Sequence, residues 1–427
     1  MHSGNLIHPE RLWFILALSF LYLLVALAPA HAAEPLPGPW PGSVDVRLGG
    51  LLQGDYRYYF EDERTDNRFD IRRSRLIAEG RIADLLRFEL EYELQDNEAA
   101  NLLDAYIATD FGEHSLVAGQ FKEPYSLEWQ SPNHPLYFAE RSMGYYLTPN
   151  RDIGVMLTGS LFDGLALYSA GLFNGNGIGG EIRRKQHDDP EIAGRIVFQP
   201  LRNFDNFLRT VQVGASGTYA RIDTPNIDTK VKGTGMAGST RSLYVLTHDT
   251  KFGVINDVDR RDRLSAEAAW TYGPLAVFGE YFTLAYRDLV PVGGVPLDAE
   301  LSAWYTAAVF SITGEPVLIE NGRILPLVPA RPFSPARQAY GALCIAGRVE
   351  HFDGDEDWIN PAAFVSVRDA DAYSIAADWI LSREFRVLLD YTHTRLSDPI
   401  RVRVLPDGTV DYISKENVLT LRFSLDF

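Results

Sequence analysis

From Val44 onward the chain alternates between apolar and polar positions. Val44, Val46, Leu48, Gly50, Leu52, Gly54, Tyr56, Tyr58 and Phe60 share one parity. Asp45, Arg47, Gly49, Leu51, Gln53, Asp55, Arg57, Tyr59 and Glu61 share the other. The pattern is sharper in Leu86, Phe88, Leu90, Tyr92 and Leu94 against Arg87, Glu89, Glu91 and Glu93. It returns at the end as Leu419, Leu421, Phe423, Leu425 and Phe427 against Thr420, Arg422, Ser424 and Asp426. Successive side chains of a strand point to opposite faces, so a period of two predicts strands with one apolar and one polar face; helical spacing fits none of the three. Weaker alternation predicts thirteen more strands, at 68–82, 102–110, 115–122, 152–160, 165–173, 191–199, 210–221, 263–272, 274–286, 301–313, 340–351, 372–380 and 385–394, sixteen in all.

The connections alternate too. Ala83-Asp84, Phe111-Gly112-Glu113-His114, Phe162-Asp163-Gly164, Gly273 and Leu381-Ser382-Arg383-Glu384 are tight turns. Between them lie long polar stretches at 124–151, 174–190, 222–262, 287–300, 352–371 and 395–417. Two links on the short side, 200–209 and 314–339, are longer than their neighbours. Short turns on one rim and long loops on the other are the plan of a bacterial outer-membrane barrel, and a soluble sandwich has no reason to sort its loops this way. The expectation is an all-β, transmembrane antiparallel β-barrel of about 16 strands over residues 43–427, with long extracellular loops and short periplasmic turns. An even strand number puts both ends on the short-turn rim. The final Phe427, preceded by apolar residues at every second position, is similar to the signal read by the barrel assembly machinery.

The first residues have a different character. Arg11 is followed by sixteen uncharged residues, Leu12 to Leu27, and then by Ala30-His31-Ala32. Basic residue, apolar run and small-x-small motif form the layout of a secretory signal peptide. Read as a membrane helix, the run would span ~24 Å, short of the roughly 30 Å hydrocarbon core. Residues 1–32 are therefore expected to be a cleaved leader, and 33–42 a short periplasmic segment. The implied location is the outer membrane of a Gram-negative bacterium, with lipid as the surrounding partner.

Sixteen strands leave an aqueous channel, whereas small barrels fill with side chains. About ten residues before the first strand are too few for a plug, so any narrowing must come from a loop. The third extracellular loop, 124–151, is the candidate. Pro124, Pro132, Pro135 and Pro149 anchor it, and Trp129, Tyr137, Phe138, Tyr145 and Tyr146 make it too apolar to stand in water. It is expected to fold inward, with Trp129, Tyr137 and Phe138 at the constriction.

Composition removes other classes. The 427 residues carry 40 basic and 57 acidic side chains, a net −17, which argues against a nucleic-acid partner. A single cysteine, Cys344, rules out an internal disulfide or a Cys-based metal site. No phosphate-binding or dinucleotide motif appears, so no cofactor is expected. A barrel lipase or protease would need a Ser/His/acid set. His114, His393 and Asp390 lie near strand ends, but no Gly-x-Ser-x-Gly elbow accompanies them, and the chain reads as no enzyme. Asp353, Asp355 and Asp357 alternate as calcium ligands do, without the closing glutamate of a calcium loop, and read as a solvated charge run.

With those residues in view, the chain resembles the phosphate-selective porin O and P family. The resemblance runs through Leu48-Gly49-Gly50, Gly54-Asp55-Tyr56, Ile71-Arg72-Arg73-Ser74-Arg75, Gly119-Gln120-Phe121-Lys122, Leu127-Glu128, Ala139-Glu140-Arg141, Ile312-Thr313-Gly314-Glu315, Gly341-Ala342 with Arg348, and Asp378-Trp379. It implies a homotrimer of passive porins, inward-folded loops and an arginine-lined path for small anions. The matching positions are Arg72, Arg73 and Arg141, with Lys230, Lys232 and Arg241 for the basic run of the fifth loop. Two positions depart: Leu51 stands where the pattern has arginine, and Trp129 where it has lysine. From the residues alone, Arg72, Arg73, Arg75, Lys122 and Arg141 form either a basic, anion-favouring cluster or a set of salt bridges bracing wall and loop. A non-selective structural barrel is the corresponding alternative.

Overall fold

The computed structural model describes residues 44–60, 67–83, 85–95, 101–175, 177, 189–222, 227–235, 241–247, 249–360, 363–404 and 408–427. The expected leader (1–32) and the segment 33–42 lie outside the described residues. Sixteen strands form the wall: β1 Val44–Tyr59, β2 Arg68–Ile82, β3 Leu86–Glu93, β4 Leu102–Phe111, β5 His114–Lys122, β6 Arg151–Leu161, β7 Ala166–Phe173 and β8 Glu191–Phe198. They continue with β9 Gln212–Arg221, β10 Arg260–Tyr272, β11 Leu275–Pro291, β12 Leu297–Ser311, β13 Ala342–Asp353, β14 Asp369–Ile380, β15 Phe385–Val404 and β16 Val410–Asp426. Each pairs antiparallel with the next, and β16 returns to β1 with Leu51 opposite Asp426 and Tyr59 opposite Val418. Reciprocal bonds between Gly50 and Phe427, at 2.7 and 3.0 Å, complete the seam. Closure leaves no edge strand, as a barrel in lipid requires. No helix among the described residues is long and apolar enough to cross a membrane.

All sixteen expected strands are present, but two expected loops are not loops. Strands β11 and β12 run on to Pro291 and from Leu297, so little of 287–300 is left. Strands β15 and β16 likewise absorb most of 395–417. Apolar alternation is required only where one face meets lipid. Beyond it the outer face turns polar, as at Arg287 bonded to Asp298 (3.0 Å) and Glu300 (3.2 Å), while inward residues such as Leu289, Ala299, Leu396 and Ile400 stay buried, and the sequence pattern weakens.

The alternation assigns the faces. Leu90, Ile107, Val155, Leu172, Ile192, Tyr281, Ile345, Ile375 and Phe423 point outward and are exposed. Inward positions differ around the wall. In β3–β10 they are mostly polar, as at Glu89, Tyr106, Thr158, Ser169, Arg195, Ser216 and Glu267. In β11–β13 many are buried and apolar: Phe278, Phe282, Leu284, Leu301, Tyr305, Val309 and Phe352.

Three segments fold against that apolar arc. The third loop contributes Tyr125, Leu127, Met143 and Leu147. The fifth contributes a hairpin, Asp228–Val231 with Tyr244–Thr247, burying Val231, Tyr244 and Leu246. From the opposite rim, the long link between β12 and β13 rises as a small hairpin, Ile319–Glu320 with Arg323–Ile324, burying Val317, Ile319, Ile324 and Leu327. One continuous apolar core joins all three to the wall.

Candidate functional site: the charged lumen

The third loop has almost no regular structure, so its backbone groups must find partners elsewhere. Charged wall residues supply them. Glu280 accepts the N–H groups of Leu127 (2.6 Å) and Glu128 (2.9 Å) at the start of a single helical turn, Leu127–Gln130, and takes the Tyr305 hydroxyl as well (2.7 Å). Glu350 accepts the N–H of Met143 (2.7 Å) and Asp390 that of Ala139 (2.9 Å). Arg348, Arg386 and Arg422 donate to the carbonyls of Glu140, His134 and Ala139. Asp390 is thereby committed to the loop. His393, with opposite parity on the same strand, bonds Asn417 (2.7 Å), so the two do not form a hydrolytic pair.

A β-bulge makes the basic cluster. Gln53 pairs with Arg73, and the next residue, Gly54, pairs with Ile71. Arg72 is the extra residue, and two consecutive arginines serve the inner side where strict alternation would send one outward. Both converge on Glu140 of the third loop. Arg72 grips it with two bonds, at 2.7 and 2.9 Å, Arg57 reaches it at 2.5 Å, Arg422 at 3.1 Å and Arg73 at 3.9 Å. Asp55 also bonds Arg57 (2.8 Å) and Arg422 (2.7 Å), and Arg73 donates to Gln53 (2.7 Å). Burial alone would raise the Glu140 carboxyl. The guanidiniums of Arg72, Arg57 and Arg422 outweigh it and hold the group well below the usual carboxylate range. Four positive and two negative charges leave the cluster at +2, and Arg72, at 28% side-chain exposure, is its most open member.

The second charged group is acidic, with two arginines against the three carboxylates Glu91, Glu93 and Asp104, a formal −1. Arg75 bonds Glu91 (2.7 Å) and Glu93 (2.8 Å), while Arg151 bonds Glu91 (3.0 Å) and Asp104 (2.9 Å). Glu89 accepts the Tyr106 hydroxyl (2.8 Å). Glu89, Glu91 and Asp104 lie close enough together to share a cation, but two of the three are already held by arginines, so the trio reads as part of an ion-pair network.

The remaining candidates are braces or sit apart. Arg141, expected in the anion path, turns into the loop: it donates to the carbonyls of Glu128 (3.1 Å) and Ser131 (2.7 Å) and to the Asn133 side chain. Lys122 donates to the carbonyl of Trp129 (2.9 Å), and its ammonium lies 5.0 Å from the Trp129 ring centre. Arg151 approaches the same ring at 5.9 Å. Trp129 therefore fills a buried slot between two cations, and lysine there would be repelled from both sides. Tyr137 and Phe138 are buried under Arg386 and Arg348. Leu51, the other departure, faces inward and is buried. Lys230, Lys232 and Arg241 belong to the fifth-loop segment, with Arg241 at 3.7 Å from Glu416, and the structure does not bring them to Glu140. Asp355 and Asp357 organise a short helical turn, in which Asp355 accepts the N–H of Asp357 (3.0 Å).

Several charged residues escaped the sequence reading: Arg57 and Arg422 of the Glu140 cluster, Arg151, and Arg323 of the inner hairpin. Arg323 stands exposed on the inner hairpin and, among the described residues, makes no hydrogen bond or ion pair. Its signal was present: Asn321-Gly322 between alternating apolar residues is a strong two-residue hairpin motif.

The barrel is similar to solved outer-membrane proteins. OmpT of Vibrio cholerae superposes with a TM-score of 0.55 at 12% identity, covering 91% of this chain and 100% of that one, and is also solved in a trimer form. The channel DcaP of Acinetobacter baumannii gives 0.54 at 11% identity over 92% and 100%. An anion-selective porin from Comamonas acidovorans gives 0.52 at 11% over 90% and 100%. At such identity these establish the fold alone. No curated protein resembles the chain closely enough in sequence to count as a relative. The sequence itself matches the family described as phosphate-selective porin O and P over residues 46–427, nearly the whole barrel, and the chain belongs to that family.

Proposed function

We propose that the protein is a passive, non-enzymatic outer-membrane diffusion channel with a preference for small anions. The observation that carries this reading is the +2 cluster around Glu140, with Arg72 open to solvent. A ring of guanidiniums favours anions, and their planar forks suit oxyanions such as phosphate. Trp129, standing where the family pattern has lysine, weakens the case for phosphate over chloride. Export through the leader at residues 1–32, recognition of the Phe427 strand by the assembly machinery and a homotrimer in the lipid belong to the same reading. The trimer form of the Vibrio OmpT supports the last of these.

The test is the reversal potential of single channels under a potassium chloride gradient. Wild type should favour chloride, and Arg72→Gln should move the potential toward potassium, because one unit charge at ~6 Å and effective dielectric ~40 is worth on the order of 1 kcal/mol. Coincident potentials for the two proteins would leave the arginines as braces of a non-selective sieve.

A further inference from the structure

The two longer links of the short-turn rim each lay an aromatic ring on the outside of the barrel. In the link between β8 and β9, Phe207 stands edge-on to Trp270 of β10 (6.3 Å between ring centres), and the Trp270 indole N–H donates to the Phe207 carbonyl (2.8 Å). In the link between β12 and β13, Phe333 stands edge-on to Trp379 of β14 (5.5 Å), whose indole N–H donates to the Tyr340 carbonyl (2.6 Å). Both tryptophans share the outward parity of the exposed Leu264 and Ile375 on their strands. Outward aromatic residues at the ends of the wall are general to such barrels. The charges beside Trp379 are not.

After the inner hairpin the β12–β13 link leaves the lumen, and the Phe333 N–H donates to the Leu381 carbonyl of the next turn (2.7 Å). Ser334 and Ala339 exchange backbone bonds (2.9 and 3.1 Å) around a helical turn at Pro335–Arg337, and Gln338 (φ 49°) follows in the left-handed region. Pro329, Pro332 and Pro335 stiffen the segment. Arg331, Phe333, Arg337 and Tyr340 are all exposed on it. Arg331 Nη2 donates to the Arg337 carbonyl (3.2 Å), so both guanidiniums leave from one turn. The Arg337 side chain makes no hydrogen bond or ion pair among the described residues. Glu315, which accepts the Ala330 N–H (3.3 Å) and the Ser311 hydroxyl (3.1 Å), is buried and spent inside the link. Residues 328–340 hold two arginines and no acidic residue, and Arg383 and Glu384 cancel in the adjoining turn, so the exposed patch is +2 in a chain of net −17. The β8–β9 link sets Arg202 and Arg209 against its own Asp205 and against Asp163, in the turn whose Gly164 carbonyl Arg202 holds (2.7 Å).

We infer that the loop 331–340 is a binding site for an anionic phospholipid of the periplasmic leaflet. Arg331 and Arg337 take the headgroup phosphate, whose oxygens suit guanidinium forks. Trp379, Phe333 and Tyr340 take the glycerol end of the acyl chains. A bare anion would need the arginines alone, whereas here they border an apolar surface continuous with Ile375 and with Leu343, the ladder partner of Trp379. The loop is already closed by its own bonds, so binding has little left to order. The inference goes beyond the channel reading and needs only a barrel seated in a membrane.

The experiment measures phosphatidylglycerol binding to the detergent-solubilised whole chain by native mass spectrometry, with phosphatidylcholine and inorganic phosphate as competitors. The variants are Arg337→Gln, the pair Arg331→Gln with Arg337→Gln, and, as control, the pair Arg202→Gln with Arg209→Gln. Wild type should hold phosphatidylglycerol more tightly than phosphatidylcholine. Arg337→Gln should weaken binding at least about threefold, the 331/337 pair about tenfold, and the control pair less than about twofold. Glutamine at 337 removes no bond within the protein, so its melting temperature should match wild type and separate lost binding from lost folding. Equal affinity of wild type and the 331/337 pair, an equal loss in the control pair, or equal retention of the two lipids by wild type would overturn the site. Displacement of the lipid by inorganic phosphate would overturn it too, leaving a simple anion site. None of these outcomes touches the Arg72→Gln reversal potential, so the site and the anion channel fail separately.

Discussion

Two arcs of one barrel wall meet the same lipid and do different work inside. Outward, β3–β10 and β11–β13 are alike: Ile107, Leu172 and Ile192 on one, Tyr281, Ile345 and Val349 on the other. Inward, the first arc offers Thr158, Ser169 and Arg195, the second Phe282, Leu301 and Tyr305. Each inner face records what lies against it. Where water fills the lumen, small polar residues suffice; where a folded loop lies, the wall becomes one side of an ordinary protein core. The third loop is held by apolar burial supplemented by carboxylates that receive its backbone donors, and the passage is displaced toward the polar arc.

The contrast breaks most visibly at Phe282. Its ring is fully buried, stacks near Tyr125 (6.5 Å) and Tyr305 (6.4 Å), and lies so close to Gly144 that a Cβ there would overlap it. Phe282→Ala should cost about 3–5 kcal/mol in denaturant unfolding of the detergent-solubilised barrel. Thr158→Ala on the polar arc, losing bonds to Ser169 (2.8 Å) and the Tyr168 carbonyl (3.0 Å), should cost about 1 kcal/mol. Equal losses would mean the two arcs are not distinct.

A smaller effect separates inside from outside on the polar arc alone. Ile107→Arg places a charge against lipid and should cost roughly 2–4 kcal/mol, while Ser169→Arg points into the lumen and should cost far less. The readout is the fraction folded after reconstitution into vesicles of fixed composition. A tolerated Ile107→Arg beside an unfolded Ser169→Arg would invert the faces.

The smallest concerns pH. His134 of the third loop is buried against Ser424 Oγ (3.1 Å) and the Arg383 carbonyl (3.1 Å). Burial and nearby Arg386 push its ring down to about 4. The undocked loop would carry an ordinary histidine near 6.5. Between those values the undocked state binds a proton that the docked state refuses. Docking is therefore fully supported above about pH 6.5, weakens as pH falls toward about 4, and levels off below, a change on the order of 1–3 kcal/mol. Melting at pH 7 and pH 5 should show the drop in wild type and a flatter response in His134→Gln. Parallel curves would remove His134 from the packed arc's account.

The strands were legible because lipid imposes alternation on one face whatever the other face does. The inward fold of the third loop was legible from its aromatic content. Arginine partners were not: Arg72 meets Glu140 68 residues away, and Arg422 meets Asp55 across 367. Nor was the bulge, since an extra residue leaves no mark in a polar run such as Arg72-Arg73. The weak alternation of 274–286 and 301–313 had a cause visible only in three dimensions, namely that both faces there are apolar. The inner hairpin lay between these cases, its Asn-Gly turn plain in the sequence but without meaning until the barrel surrounded it.

The third loop's partners also set an order of events. Leu127 waits for Glu280, Met143 for Glu350, Ala139 for Asp390, at separations of 153, 207 and 251 residues. None of these three partners belongs to the first six strands, which offer the loop instead the Arg57 and Arg72 grip on Glu140 and the Lys122 bond to the Trp129 carbonyl. Contacts so distant along the chain form slowly. The loop's full set of backbone acceptors is therefore complete only when the final strands are in place, which makes the finished aperture a product of completed folding.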